Sequence, residues 1–236
     1  MNLFAESFQW LTDPAHWSGD QGAALRILQH LAVTVLVVLV SAIVALPLGV
    51  LVGHTRRGTG LVVTASGAAR AIPTLGLLTL LGLWLGIGLS APVLALVVLA
   101  IPSLLAGAYA GVQAVDPIAV DSARAIGMTP LQVVWRVELP LAAPVMIGGL
   151  RSATLQVVAT ATLAAYVADV GLGRLVFSGL KSGDYAQMLA GSLLVTLLAL
   201  SFEIALAAIQ RAAARRIERS APADFPSEPA PAKVNP

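Results

Sequence analysis

A chain of 236 residues that is 58% hydrophobic and 11% charged, with a mean hydropathy of +0.87, is far more apolar than a soluble domain, in which about 25% of residues are charged. Its length suits about five membrane spans of roughly 20 apolar residues each with their connections, and leaves no room for a second globular domain. The absence of cysteine excludes a disulfide framework and a thiolate metal site, and the net charge of +2 resides at membrane edges and in the tail, which argues against a nucleic-acid partner.

Residues 1–27 mix Phe4, Phe8, Trp10 and Trp17 with Asp13, Pro14 and Asp20, as suits a segment lying at a membrane interface. They carry no basic n-region, so no cleavable signal peptide is expected. A first span is predicted from Leu28 to Val52, with Pro47 as a kink. The basic turn His54 to Gly60 follows. A second span from Leu61 to Leu85 is interrupted by Arg70 and Pro73, which can divide it into two half-helices, and Pro73 is a hinge candidate. The third span covers Val93 to Val112, the fourth Leu141 to Ala168 and the fifth Gln187 to Gln210, so the membrane domain is expected at 28–210. The tail at 211–236 is rich in Pro and Ala and is expected to be disordered.

Charge placement orients these spans. Arg56, Arg57, Arg124, Arg136, Arg211, Arg215, Arg216 and Arg219 fall in segments on one side, against Arg26, Arg174 and Lys181 on the other. The positive-inside rule then places the N-terminus outside and the C-terminus in the cytoplasm of a cell (inner) membrane. Splitting the second span into two crossings would reverse part of that bias.

The polar stretch 113–140 interrupts the apolar pattern. Asp116-Pro117 is an N-cap followed by a first-turn proline, Gly127 suits a left-handed helix stop, and Thr129-Pro130 restarts a helix. Two short helices around a glycine elbow are predicted, the second running through Trp135 towards Pro140. Small residues four apart, Gly49/Gly53, Gly82/Gly86 and Gly107/Gly111, predict close helix contacts.

Within the polar stretch, Asp121-Ser122-Ala123, three residues, Gly127, nine residues and then Val137-Glu138-Leu139-Pro140 resemble the EAA loop of ABC-importer permeases, with Asp for Glu, Ser for Ala and Val for Ile. The segments Ile72 to Leu78, Gly148 to Thr154, Ala159 to Tyr166 and Gly171 to Leu180, with the opening WLTDPAHWSG, are similar to the branch that carries glycine betaine, choline and carnitine. The resemblance implies an all-α polytopic protein with the type I, methionine-permease-like fold. It also implies an ATPase-coupling loop built from Asp121, Ser122, Ala123, Arg124, Gly127, Met128 and Pro130. The implied partners are ABC ATPase subunits that carry ATP and Mg, a second permease copy or paralogue, an extracytoplasmic substrate-binding protein and the lipid bilayer.

No Gly-x-x-x-x-Gly-Lys-Ser/Thr loop is present in the sequence, so the chain is expected to be a transport subunit and not an enzyme, with hydrolysis in a partner and no cofactor or metal of its own. His16, His30 and His54 have no carboxylate at ligand spacing. Arg70, Arg151 and Glu203 fall inside predicted spans, where they either line the path or gate, or pair with one another or reach the membrane edge. A permease for methionine or another amino acid, and a non-transporting membrane scaffold, are the rival readings.

Overall fold

The computed structural model describes residues 2–220; the side chains of Arg70 and of residues 218–220, together with residues 221–236 of the expected tail, lie outside what is described. Helices make up the architecture, and no strand occurs among the described residues. A short helix, α1 (Leu3–Thr12), precedes the first long one, α2 (Ala23–Thr55). Trp10 of α1 is buried and stacks on His16 with ring centroids 4.3 Å apart, while the Trp17 indole N–H donates to the Leu11 carbonyl at 2.8 Å. The interfacial segment is thereby folded down instead of lying free.

With 33 residues, α2 is about 50 Å long at roughly 1.5 Å per residue, more than a bilayer core requires. It starts five residues before the predicted span, at Ala23, so Arg26 belongs to the helix and not to the preceding segment. Pro47 sits inside it without ending it. Next come α3 (Thr59–Ala71) and α4 (Thr74–Leu85), the second predicted span, broken into two helices that meet at 84°. The break has a local cause. Ile72 precedes a proline and takes an extended conformation (φ −70°, ψ 122°), as steric pressure from the proline ring dictates, and Pro73 then caps α4.

The long helix α5 (Ser90–Gln113) occupies the centre, packed against α2, α3 and α4 and against α8 (Leu139–Ala161). Between them lie α6 (Pro117–Ala125) and α7 (Pro130–Val133), and a π turn at Val134–Glu138 joins α7 to α8. A 3-10 turn at Thr162–Tyr166 leads on to α9 (Gly173–Ser182) and to the final helix α10 (Tyr185–Ser220), which packs on α8, α9 and α1. Because α10 continues to Ser220, the expected boundary at 210 falls inside a helix.

Small residues set the spacing of the central trio. A Cβ on Gly49 would lie 2.6 Å from the Ala108 Cβ, and one on Gly53 2.7 Å from the Val112 Cβ, so both face α5. Gly107 of α5 meets Gly149 of α8 so closely that an added Cβ would stand 2.6 Å from the opposing Cα. Gly86 differs from these: with φ +84° and open space around it, it ends α4 and packs nothing. Among the described residues, four helices are long and apolar enough to cross a membrane, and five crossings result if α3 and α4 form one broken span.

Candidate functional site

The polar stretch folds as a helix, an elbow and a second helix. Asp116 caps α6 by accepting a hydrogen bond from the Ile118 amide at 2.9 Å. At the other end the Gly127 N–H donates to the Arg124 carbonyl and the Met128 N–H to the Ala123 carbonyl. That pair is the Schellman arrangement, which requires a left-handed residue after the helix, and Gly127 supplies it with φ +87°. Thr129 and Gln132 then form a reciprocal capping box at the start of α7, satisfying donors that would otherwise be orphaned.

One face of this elbow is anchored and the other is bare. Val120, Ala123 and Val133 are buried against Val112, Val115 and Ala142, with Met128 partly buried beside them. Outward stand the large apolar side chains Ile118, Ile126, Leu131 and Trp135, each about two-thirds or more exposed (73%, 77%, 68% and 65%). Asp121, Ser122, Arg124, Gly127 and Pro130 share the exposed side, and Arg124 lies 3.6 Å from Asp121 one turn before it.

The second arm departs from the predicted short helix. Instead of stopping near Pro140, it continues through the π turn into α8, giving one helical rod from Pro130 to Tyr166. Proline at 140 cannot donate to the carbonyl four residues back. The turn before it closes with a wider bond, the Leu139 N–H donating to the Val134 carbonyl. The π turn also directs Glu138 inward, where its side chain is 5% exposed and its Oε2 lies 2.7 Å from His54 Nδ1 at the end of α2. Sequence reasoning missed this contact, since 84 residues separate the partners. A cavity of about 390 Å³ borders it, lined also by Arg56, Asp121 and Arg124.

At the opposite end of α2 a second polar cluster was equally hidden. Arg26, 2% exposed, donates to Asp169 Oδ1 at 3.0 Å, to the Asp169 carbonyl at 3.0 Å and to Gln29 at 3.0 Å, and pairs also with Gln21. Gln29 accepts from the Gly171 amide, and His30 accepts from the Leu172 amide. These bonds fasten the connection between α8 and α9 to α2. The only advance sign was the juxtaposition of Gln21, Arg26, Gln29 and His30 at one helix start.

Of the three predicted intramembrane charges, Arg151 and Glu203 come together. Arg151 Nε donates to Glu203 Oε2 at 2.6 Å, a second guanidinium nitrogen pairs with Oε1, and a third contact at 3.3 Å reaches Gln210. Gln210 in turn donates to the Pro144 carbonyl at 3.0 Å. Arg70 is in α3, and its side chain lies outside the described residues. Pro73 stands at the 84° break.

Residues 45–219 match the family model described as binding-protein-dependent transport system inner membrane component. The choline transport system permease protein OpuBB of Bacillus subtilis is 32% identical over 183 residues, covering 78% of this chain and 84% of the relative. The glycine betaine/carnitine/choline permease OpuCB of the same organism is 31% identical over an equal span. The osmoprotectant import permease OsmW of Salmonella typhimurium is 31% identical over 198 residues, covering 80% of this chain and 91% of the relative. Among solved structures, an inward-facing MetNI methionine ABC transporter superposes with a TM-score of 0.70 at 26% identity, covering 79% of this chain and 93% of the other. With the match spanning most of the helical bundle and the elbow within it, the chain belongs to the family of binding-protein-dependent transport system inner membrane components, the permease subunits of ABC importers.

Proposed function

We propose that the chain is one half of the transmembrane pathway of an ATP-driven importer for quaternary-amine osmoprotectants such as glycine betaine, choline and carnitine. Relatives named for these solutes or for osmoprotectants match over four-fifths or more of their own length, and that breadth carries the solute reading. ATP and its magnesium ion reside on a partner ATPase. Residues 116–138 form the seat for that ATPase, with Ile118, Ile126, Leu131 and Trp135 as the apolar contact and Asp121, Ser122 and Arg124 as its polar rim.

The mechanism follows from how the elbow is connected. A short helix held in a partner's groove transmits a push only if its ends are stiffly joined to the spans. Here α6 leads directly back to α5, while α7 and α8 are one rod. The His54–Glu138 bond ties the rod's foot to α2. Movement of the seat therefore tilts α8, α5 and α2 together, which is the rocking that alternating access requires. One chain of five spans supplies half of a pore, so a second copy or a paralogue completes it. An extracytoplasmic binding protein delivers solute, and the seat and C-terminus face the cytoplasm.

The fold shared with a methionine transporter favours one rival solute. Uptake of labelled glycine betaine, choline and methionine into vesicles holding the whole complex separates the two readings. We expect ATP-dependent uptake of the first two, and uptake of methionine alone would overturn the solute assignment.

A further inference from the structure

Midway along α8 and α10, Arg151 and Glu203 form a bidentate pair whose side chains remain 35% and 28% exposed. The surrounding helices are apolar. Charge open to lipid at that depth is costly, so the exposed edge belongs to a face that water or protein covers. Along α10 that edge continues as Ser192, Thr196, Glu203 and Gln210, four and then seven residues apart, spacings that keep all four on one helical face. Gln210 holds the guanidinium from the side, through its contact to Arg151 and its anchor on the Pro144 carbonyl. The arginine would therefore stay in position if Glu203 let go.

We propose that this pair is a transient site for zwitterionic solutes that combine a carboxylate with a quaternary ammonium. The solute carboxylate takes the place of the Glu203 carboxylate on the Arg151 guanidinium, whose planar fork matches either equally well. The quaternary ammonium, which has no N–H to donate, faces the released Glu203 carboxylate through charge alone. Two opposite charges replace two opposite charges, so the exchange adds no net charge to the membrane interior. Glu203 competes for the fork at every moment, which keeps occupancy weak, as a pathway that must also empty demands. Choline has a hydroxyl and no carboxylate, so it cannot take the fork and passes the pair without this step. The inference rests on the osmoprotectant reading above and adds to it a residue-level basis for telling carboxylate-bearing solutes from choline.

The test uses the complete complex, with its ATPase and binding protein, in proteoliposomes. Uptake of glycine betaine, carnitine and choline is compared between wild type and the Arg151→Gln/Glu203→Gln double variant, which keeps a hydrogen-bonding pair without charge. The expected result is a loss of glycine betaine and carnitine uptake about tenfold or more greater than any loss for choline, the scale of a charge-assisted bond pair. Ratios unchanged within about twofold overturn the site. A measurement on the unaltered complex guards against a variant that does not assemble: magnetic recoupling between 15N-labelled arginine and carboxylate-13C glycine betaine. Close contact is expected in wild type and its loss in Arg151→Lys, which retains the charge. No contact in wild type, or contact that survives Arg151→Lys, overturns the site. A wild-type complex that imports none of the three solutes overturns the solute reading and the site together, whereas import with an unchanged ratio overturns the site alone.

Discussion

At φ +87°, Gly127 holds a backbone conformation that costs an L-residue roughly 1–2 kcal/mol, and open space surrounds it, so the cost of a side chain there is conformational and not steric. Gly127→Ala is expected to loosen the end of α6 by about 1 kcal/mol, raising amide hydrogen-exchange rates over residues 118–125 by about fivefold, with Gly127→Asn milder because Asn tolerates the left-handed region. Equal exchange in all three proteins would remove the elbow's dependence on glycine. Glu138 tests a different kind of contact. It is buried and bonded to His54, itself only 17% exposed, so Glu138→Ala leaves a polar ring without its partner at a cost of about 1–3 kcal/mol. The solubilised protein should melt lower by a few degrees per kcal/mol, about 2–4 °C at this size, and Glu138→Gln, which keeps an oxygen acceptor, should lose less. The local chemistry of Asp116, Gly127 and Thr129 could be read in sequence because caps and turns depend on adjacent residues. His54–Glu138 and Arg26–Asp169 could not, because their partners are brought together only by the packing of α2 on the connections around α8.

Between elements, the contact of α5 with α8 depends on Gly107 and Gly149 lying backbone to backbone. In apolar surroundings such contact substitutes for the hydrophobic drive that soluble helices enjoy. Gly107→Val is therefore expected to force the two helices apart, destabilising the solubilised protein by about 1–3 kcal/mol or more. Gly60→Val, at a position with open space around it, serves as the comparison, and equal melting temperatures for the two variants would show that the close approach is dispensable. Long apolar runs made α2, α5 and α10 visible in the sequence, although their ends were not, since amphiphilic residues such as Arg26 extend a helix past the apolar core. The second arm of the polar stretch was misjudged because Pro140 reads as a stop. Placed just after a π turn, it interrupts one bond and lets the helix run on into α8. By contrast, the break at Pro73 followed the steric rule directly.

For the whole molecule, orientation in the membrane and coupling to ATP are the properties to test. The chain has no cysteine, so single reporters can be introduced without background: Arg57→Cys and Ser122→Cys should react with an impermeant thiol reagent only from the cytoplasmic side, and Lys181→Cys only from outside. Labelling of Ser122→Cys from outside would invert the topology drawn from the arginine distribution. The exposed apolar side chains Ile118, Ile126, Leu131 and Trp135 lie on the stretch between α5 and α8, and the proposal that an ATPase grips them as a helix in a groove is tested at this scale. The most direct test is co-reconstitution of the permease with its ATPase and binding protein, comparing wild type with the Asp121→Lys/Gly127→Asp variant for ATPase association and ATP-driven glycine betaine uptake. The variant is expected to reach the membrane at normal levels yet to lose both association and uptake. Association and uptake at wild-type levels in the variant would contradict the coupling role of residues 116–138.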